Sequence, residues 1–472
     1  MGEIYVQIVA LLAVAVTGIL IAAAIGRRMG WLSFRVLAIL SYTLVIPISG
    51  IAHLARGPDS QYRGPYDALN GLDTGQMAYV VVVAGSGLAA LVVGTLVALP
   101  TSRVKRRTSP LTPDDRKTLP LFIAAILPVS IWALQKTREY VAGLDVFGGR
   151  VISVSGGNAR YTFVSYWAVW AISLGVIWFV LQRRESKPLM TAIVFFGGAA
   201  ACAVVVDWAG GRSDALLAAV PMALVLFPLV RAGQLTTLLF GSFVAIGGAW
   251  QVAQLTARRS AVDPYGGSGL AGFVDWEFGR FSMLGWATQY TEQTGFLYGE
   301  TLVSGGLRLV SGLQKLLGLP APDFVARASQ RVATEDLDRA RAGILDYINP
   351  SVMAEMYLNF GFLGAVGSLL VIGVLSGYCD RQFLRSKTAV VQLAWGFIGL
   401  TVAVSSHITE SFTPVVAILY RGAPLVFIAA LSASMARSSA TFSSSEPGGG
   451  GQAKNSGERD TDAARRGLND SS

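Results

Sequence analysis

Runs of about 20 consecutive apolar residues recur along this 472-residue chain, separated by short stretches that hold most of the charged side chains. A helix rises 1.5 Å per residue, so about 20 residues cross a hydrocarbon core of roughly 30 Å. Charged residues make up 14% of the sequence, well below the share usual in soluble proteins. The pattern predicts an all-α, polytopic transmembrane helix bundle.

Hydropathy windows predict about eleven spans within a membrane domain over residues 1–436. The predicted spans are residues 4–26, 31–54, 77–100, 119–135, 161–182, 189–209, 213–231, 235–256, 351–379, 388–408 and 413–435. The last residues, 437–472, are rich in serine, glycine and mixed charges. Such a composition cannot bury a core and predicts a disordered cytoplasmic tail.

Lysine and arginine concentrate in the connections that follow every second span. The basic connections contain Arg27 and Arg28, residues 103–117, residues 183–187, Arg231 and residues 381–387. Basic loops usually face the cytoplasm, which predicts an outside N-terminus and a cytoplasmic C-terminus. Basic residues beside spans also contact anionic lipid, so the net charge of +9 does not indicate nucleic acid binding.

One outer connection, residues 257–350, is far longer than an ordinary loop and is a candidate functional segment. Leucines and valines at helical spacing between Leu302 and Leu317 predict short amphipathic helices that lie on or dip into the outer leaflet. A second, smaller outer segment over residues 136–160 contributes Arg150 and Arg160 as candidate substrate contacts.

The sequence lacks the motifs that are typical of metal sites, nucleotide-binding sites and nucleophilic catalysis. The chain has two histidines, and its two cysteines, Cys202 and Cys379, lie in or at the end of predicted spans. Metal-ligand spacing, a nucleotide-binding loop and a nucleophile triad are missing. We therefore expect no metal, no cofactor and no disulfide.

Polar and ionisable residues near the outer ends of spans are costly in a membrane, so each is a functional candidate. Arg212 follows two glycines in the turn between spans six and seven and could bind an anion through two hydrogen bonds. Asp214 or Ser213 could cap the next helix. Glu355 and Asn359 are four residues apart, so they share a face of span nine, one to two turns inside the outer surface. Hydrogen bonding between helices is their structural alternative.

Spans ten and eleven add three more candidates. His407 and Glu410 lie where span ten ends, and His407 could exchange protons near neutral pH or be an ordinary interface residue. Arg421 lies about two turns below the outer surface, where an arginine needs a partner; Glu410 and Glu355 are the candidates. Arg280, within an aromatic stretch of the long loop, suits sugar stacking or membrane docking.

Three stretches resemble the bacterial oligosaccharide repeat-unit polymerases, a family that includes the O-antigen polymerases. They are Gly210–Asp214 (GGRSD), Thr294–Thr301 (TGFLYGET) and Pro350–Gly361 (PSVMAEMYLNFG) followed by Gly364. Their order, the number of spans and the long loop between the second and third stretches fit that family up to about residue 435.

The resemblance implies transfer of a growing glycan from undecaprenyl pyrophosphate to a sugar hydroxyl of the next lipid-linked repeat unit, outside the bacterial cytoplasmic membrane. It implies an undecaprenyl-pyrophosphate-linked oligosaccharide as substrate, membrane lipid around it, and a chain-length regulator and a flippase as partners. Cofactors are not implied.

The chemistry of this reaction suits the candidate residues. Preorganised arginines could stabilise the leaving pyrophosphate, a role for Arg212, Arg280 and Arg421. Glu355, or else His407, would take the proton of the acceptor hydroxyl, and Asn359 would orient a sugar. We expect these side chains to meet in one water-exposed pocket at the outer rim. The remaining substrate-binding candidates are Asp214, Arg150, Arg160 and Glu410.

Three alternatives stay open at the sequence level. One is an O-antigen-ligase-like enzyme that moves the glycan to another acceptor. Another is a transporter of lipid-linked sugar or polysaccharide, a class that often has broken helices with charged groups near the midplane. The third is a membrane partner of a glycan machine that has no activity of its own.

Overall fold

The structure, a computed structural model, describes residues 2–56, 72–97, 110–141, 159–182, 188–208, 214–226, 270–271, 274, 278–316 and 350–444. These residues form helices and connections, and no strand occurs among them. Seven of their helices are long and apolar enough to cross a membrane, or eight if the bent pair Phe412–Arg421 and Ala423–Met435 is one span. The all-α transmembrane class is therefore confirmed for the described residues. The expected number of about eleven spans stays a prediction, because some of the predicted spans lie partly or wholly outside these residues.

The helices of this part of the chain are numbered in order. They are α1 Gly2–Met29, α2 Phe34–Thr43, α3 Ser49–Arg56, α4 Thr74–Val97, α5 Pro113–Val141, α6 Ala159–Ser165, α7 Trp167–Gln182, α8 Pro188–Trp208, α9 Asp214–Leu226, α10 Phe281–Thr294, α11 Glu300–Leu316, α12 Val352–Arg385, α13 Ala389–Leu400, α14 Ser406–Ile408, α15 Phe412–Val416 and α16 Ala423–Ser444. π-Helical turns at Leu44–Ile48, Thr401–Ser405 and Ala417–Arg421 join α2 to α3, α13 to α14 and α15 to the break before α16.

Of the predicted spans near the middle of the chain, some lie within the described residues and others do not. Predicted span 189–209 corresponds to α8, and predicted span 213–231 overlaps the 13 residues of α9. Predicted span 235–256 lies outside the described residues. At the C-terminus α16 continues to Ser444, past the expected boundary at residue 436, and the rest of the predicted tail lies outside the described part.

Contacts between helices define two ends of the bundle. At one end, which we call the site end, Leu11 and Phe281 pack against Gly50. At the other, which we call the basic end, the start of α2 meets the end of α12, because the backbone N–H of Phe34 donates to Asp380 at 2.8 Å. Arg27 and Arg28 close α1 at the basic end, and Arg385 closes α12 there.

A buried ion pair holds the basic end together. Arg35 Nε lies 3.8 Å from Asp380 Oδ2, and both side chains are almost fully buried. The same arginine donates to the Gly377 carbonyl at 3.1 Å. The Asp380 carboxylate also accepts a hydrogen bond from the Phe34 N–H. It therefore both neutralises Arg35 and caps the first turn of α2. Neither residue was singled out from the sequence.

α4 and α12 cross at a pair of glycines. A Cβ at Gly94 would collide with the carbonyl of Leu370, and one at Gly373 would collide with the carbonyl of Leu91. Small residues at such a crossing let two backbones approach closely, a common way to pack helices in membranes. This contact packs the part of α12 that follows Gly361 against α4.

The chain reverses direction at Gly361, within α12, so that the residues before Gly361 run back along those after it. This corrects the expectation of one continuous span over 351–379. Gly361 has φ 63° and ψ −150°, outside helical values. A Cβ at Gly87 would lie 2.8 Å from Met353 Cε and 2.6 Å from Leu369 Cδ1, although a straight helix would separate those residues by about 24 Å. Residues 352–360 therefore begin inside the bundle, rise to Gly361 at the site end, and run beside 362–385.

The last span is broken as well. Its two parts, Phe412–Arg421 and Ala423–Met435, meet at an angle of 67°. Such a break leaves carbonyls without helical partners. Two indoles fill that role: Trp167 Nε1 donates to the Tyr420 carbonyl at 3.0 Å, and Trp170 Nε1 donates to the Arg421 carbonyl at 2.7 Å.

Candidate functional site

The fold-back at Gly361 joins the second and third of the three sequence stretches. Leu297 N donates to the Leu358 carbonyl at 2.9 Å, and Tyr298 N donates to the Asn359 carbonyl at 3.2 Å. These carbonyls are exposed to partners because the helix ends at Gly361. The linker between α10 and α11 is thus hydrogen-bonded to the C-terminal end of 352–360.

Asn359 and Thr301 extend this contact with their side chains. Asn359 Oδ1 accepts the Gly299 N–H at 2.8 Å, and its Nδ2 donates to the Thr301 hydroxyl at 2.6 Å and to the Glu355 carbonyl at 2.8 Å. The Thr301 hydroxyl in turn donates to Glu355 Oε1 at 3.0 Å. Glu355 and Asn359 share a helix face, as predicted, and Thr301 connects their side chains.

A third segment reaches the same carboxylate from the loop after span ten. Ser411 donates to Glu355 Oε2 from its backbone N–H and from its hydroxyl, both at 2.6 Å. Glu355 therefore accepts three hydrogen bonds from two segments far away in sequence. An ionised carboxylate has about four acceptor positions, so one remains, on Oε1.

Arg280, just before α10, contacts the loop segment that contains Ser411. Its Nε donates to the Ile408 carbonyl at 2.9 Å, and its backbone N–H donates to Val45 at 3.3 Å, inside the π-helical turn of the second span. The side chain is buried. The structure thus brings Arg280 and Glu355 to neighbouring parts of one stretch, residues 408–411.

His407 lies beneath this stretch, between α2 and α13. It is buried, its ring meets the Tyr42 ring edge to face at 5.6 Å, and one ring nitrogen donates to the Ala38 carbonyl. Its Nε2 has no hydrogen-bond partner within the described part of the chain.

Glu410 and Arg421 complete the described candidates. Glu410 is buried and close enough to Glu355 for their charges to interact. Arg421 lies at the break of the last span, with its guanidinium carbon 4.4 Å from the centre of the Tyr166 ring. Over the residues that the structure describes, the partners of the Glu355 carboxylate are Thr301 and Ser411, so Glu355 is not the ion-pair partner expected for Arg421.

The other sequence candidates fall at or beyond the edge of the described chain. Arg150 and Arg212 lie outside the described residues. Arg160 is in the first turn of α6, and Asp214 is the first residue of α9. The structure therefore assembles Arg280, Glu355, Asn359, His407 and Glu410 in one region, and leaves the positions of Arg150 and Arg212 as predictions.

The assembled side chains are more enclosed than the sequence indicated. Glu355, Asn359, His407 and Glu410 are all buried, whereas an open, water-exposed rim was expected. For Glu355 and Asn359 the cause is the fold-back, because it places 352–360 between α4 and the α10–α11 linker instead of at the outer end of a straight span. In the described ranges, no group of three or more histidine, cysteine or acidic side chains could hold a metal ion.

Comparison of the chain with protein-family models, curated proteins and solved structures finds no match.

The two residues that contact the Glu355 carboxylate were not predicted as site residues. They are Thr301 and Ser411. Thr301 ends the second stretch and so had a signal in the sequence, namely its place in TGFLYGET. Ser411 had none, since a serine in a loop is ordinary and its contact depends on the fold-back.

Proposed function

We propose that this chain is a membrane glycosyltransferase that polymerises lipid-linked oligosaccharide repeat units for a surface polysaccharide. The observation that carries the proposal is the Thr301 hydroxyl, which bonds to both Glu355 and Asn359. Through it, two stretches that resemble the polymerase family form one hydrogen-bonded unit. The two stretches are separated by about 50 residues of chain, so the contact between them supports a common role.

In the proposed reaction, a hydroxyl of the acceptor repeat unit attacks the anomeric carbon of the donor glycan. The new glycosidic bond forms as the bond to undecaprenyl pyrophosphate breaks, and the hydroxyl proton passes to Glu355. The free acceptor position on Oε1 is where that hydroxyl would donate. Thr301 and Ser411 are positioning residues, because they hold the carboxylate in one orientation.

The pyrophosphate leaves with additional negative charge, which a fixed cation stabilises. Arg280 supplies one cation next to residues 408–411, and Arg212 is proposed to supply another. The reaction takes place at the extracytoplasmic face of a bacterial cytoplasmic membrane, where the donor, the acceptor and the partner proteins, a flippase and a chain-length regulator, meet.

The decisive experiment is gel analysis of surface polysaccharide in a deletion strain, complemented with the full chain or with variants. Deletion should leave single-repeat products, and the wild-type chain should restore the ladder. Arg212→Ala should give no lengthening although the protein inserts normally, and wild-type chain lengths in that variant would count against the assignment. A full ladder that stays on its lipid carrier in the deletion strain would indicate a ligase instead.

A transporter of lipid-linked sugar is the second candidate, because two breaks in the fold favour it. Residues 352–360 begin inside the bundle and turn back at Gly361, and the last span bends by 67° at Gly422. Helices broken within the membrane often line substrate sites of transporters. Purified chain in sealed vesicles separates the two: accumulation of lipid-linked repeat units on the opposite face, without polymer, would favour transport and overturn the polymerase.

A further inference from the structure

Four large apolar side chains stand exposed around the fold-back. They are Phe296 and Tyr298 of the α10–α11 linker, and Phe360 and Leu363 on either side of Gly361. We call them the fold-back patch. Tyr298 and Leu363 are the most exposed, at 81% and 79%. Contiguous exposed apolar groups mark surfaces that contact a partner or a membrane.

The patch is held rigidly by the backbone beneath it. The linker is bonded to 358–359 through Leu297 and Tyr298, and Leu297 between the two aromatics points into the core. Tyr298 has φ 45°, a left-handed conformation that is uncommon for a residue other than glycine. Such a conformation persists where the surroundings enforce it, and here it directs an aromatic ring outward.

The position of the patch follows from the helix below it. From Phe362 to Cys379 there is no charged residue, and Asp380 and Arg381 follow. These eighteen residues span roughly 27 Å at 1.5 Å per residue, close to the thickness of a hydrocarbon core. Gly361 therefore lies at the level where the core ends on the site side.

A polar cluster marks the aqueous side of the same level. Gln76, near the start of α4, donates to Glu292 near the end of α10 at 2.5 Å. One turn deeper, the hydroxyls of Tyr79 and Tyr357 lie 3.3 Å apart. Tyrosines are enriched at the boundary between headgroups and core. The fold-back patch thus lies between a charged surface and the exposed apolar face of 362–385.

We propose that the fold-back patch is a lipid-binding surface that anchors the site in the headgroup boundary of the bilayer. Its occupant is membrane phospholipid, because the patch continues through Leu363 onto the lipid-facing side of a spanning helix. Anchoring there fixes the depth of Asn359 and of Glu355 one turn below it. This inference concerns the surface alone and does not depend on the proposed function.

The test is nitroxide depth measurement on the full chain in phospholipid nanodiscs. Cys202 and Cys379, both buried, are first replaced by alanine, and a single label is then placed through Tyr298→Cys, Val371→Cys or Gln293→Cys. Gln293 is exposed in the last turn of α10 and is the matched aqueous control. Val371, exposed near the middle of the uncharged stretch 362–379, is the lipid control. Collision rates are measured with oxygen, which partitions into lipid, and with a water-soluble nickel chelate.

We expect the oxygen-to-nickel ratio at Tyr298 to exceed the ratio at Gln293 several-fold and to lie below that at Val371, because the headgroup boundary is shallower than the hydrocarbon core. A ratio equal to that at Gln293 would overturn the proposal, since the ring would then stand in water. Strong spin–spin broadening at Tyr298 would also overturn it, by showing a second copy on the patch. If Tyr298→Cys fails to fold, as judged by its melting temperature, Phe360→Cys provides the same measurement.

Discussion

Ser411 binds one oxygen of Glu355 twice, through its backbone N–H and through its hydroxyl, both at 2.6 Å. The serine lies just after the tenth predicted span, and the glutamate lies in a helix that starts inside the bundle. Their contact ties the loop after one span to the folded-back start of another. A carboxylate held in this way is preorganised, which is useful for proton transfer and costly to disturb.

Removal of the serine hydroxyl should weaken activity while the fold survives. Ser411→Ala keeps the backbone N–H bond to Glu355 and deletes one charge-assisted hydrogen bond, which is worth about 1.5–3 kcal/mol. If Glu355 works as proposed, the rate of glycan polymerisation should fall about ten- to hundred-fold by this arithmetic.

The matched control for that variant is Thr409→Ala. The Thr409 hydroxyl bonds to the Ser405 carbonyl at 2.8 Å, within its own helix end, so its loss leaves Glu355 untouched. Equal rates for Ser411→Ala and Thr409→Ala would show that the serine contact has no part in turnover.

Replacement of Thr301 by valine should destabilise the contact between the two stretches. Valine has the same shape but leaves Glu355 Oε1 without a donor and removes an acceptor from Asn359 Nδ2. A buried polar group that loses its partner costs about 1–3 kcal/mol. Melting of the purified chain in detergent should shift down relative to Ser304→Ala, since that buried hydroxyl bonds only within α11, to the Glu300 carbonyl at 3.2 Å. Identical melting of the two variants would contradict this account.

The fold-back requires glycine at position 361. Its φ of 63° with ψ of −150° disfavours any side chain, and a Cβ would lie 2.9 Å from the Phe296 ring. Strain of this kind costs on the order of 1–3 kcal/mol, so Gly361→Ala should lower the melting temperature and the polymerisation rate. Gly367→Ala in the same helix is the control, because nothing lies within 4 Å of its Cβ position.

A companion variant separates the two causes of that loss. Phe296→Ala combined with Gly361→Ala relieves the collision with the ring but not the backbone strain. Full recovery of stability in the double variant would mean that the unusual φ and ψ values of Gly361 are not limiting.

Much of the fold was predictable, because long apolar runs and clustered basic residues constrain helices in a membrane directly. The shared face of Glu355 and Asn359 followed from helical spacing alone. The fold-back at Gly361 did not, since PSVMAEMYLNFG reads equally well as the start of a straight span. Hydropathy measures only how apolar a segment is, so it does not distinguish a helix that crosses the membrane from one that turns back within it.

The contacts between segments were beyond sequence reasoning for a related reason. Arg35 and Asp380 are 345 residues apart. Arg35 lies near the start of one predicted span and Asp380 directly follows another, where charged residues are common. Ser411 contacts Glu355 only because 352–360 turns back into the bundle. Glu355 was a candidate because a carboxylate is unusual within a span, whereas Ser411, an ordinary residue that contacts it, had no such signal.

The ion pair at the basic end should dominate stability without affecting chemistry at the site end. Asp380→Leu leaves the buried Arg35 without its carboxylate, and breaking a buried pair costs about 3–5 kcal/mol. Replacing both partners, as Arg35→Met with Asp380→Leu, should recover part of that loss, because an apolar pair leaves no uncompensated charge. Arg381→Ala, at the exposed neighbour, is the control, and thermal unfolding is the measurement. A double variant less stable than Asp380→Leu would refute the pairing argument.

Glu355→Gln distinguishes a base from a structural anchor. The amide oxygen of glutamine can still accept both bonds from Ser411, and the Thr301 oxygen can accept from its amide group, so most of the network survives. Melting should therefore change little, by about 1 kcal/mol in stability, and lipid-linked substrate should still bind. An amide cannot take up a proton, however, and loss of a general base lowers turnover by about 10²–10⁴-fold.

Glu355→Ala, which removes the network as well, should lower the melting temperature and the turnover rate together. If Glu355→Gln melts far below the wild-type chain, or polymerises at the wild-type rate, the carboxylate serves only to hold Ser411 and Thr301 in place.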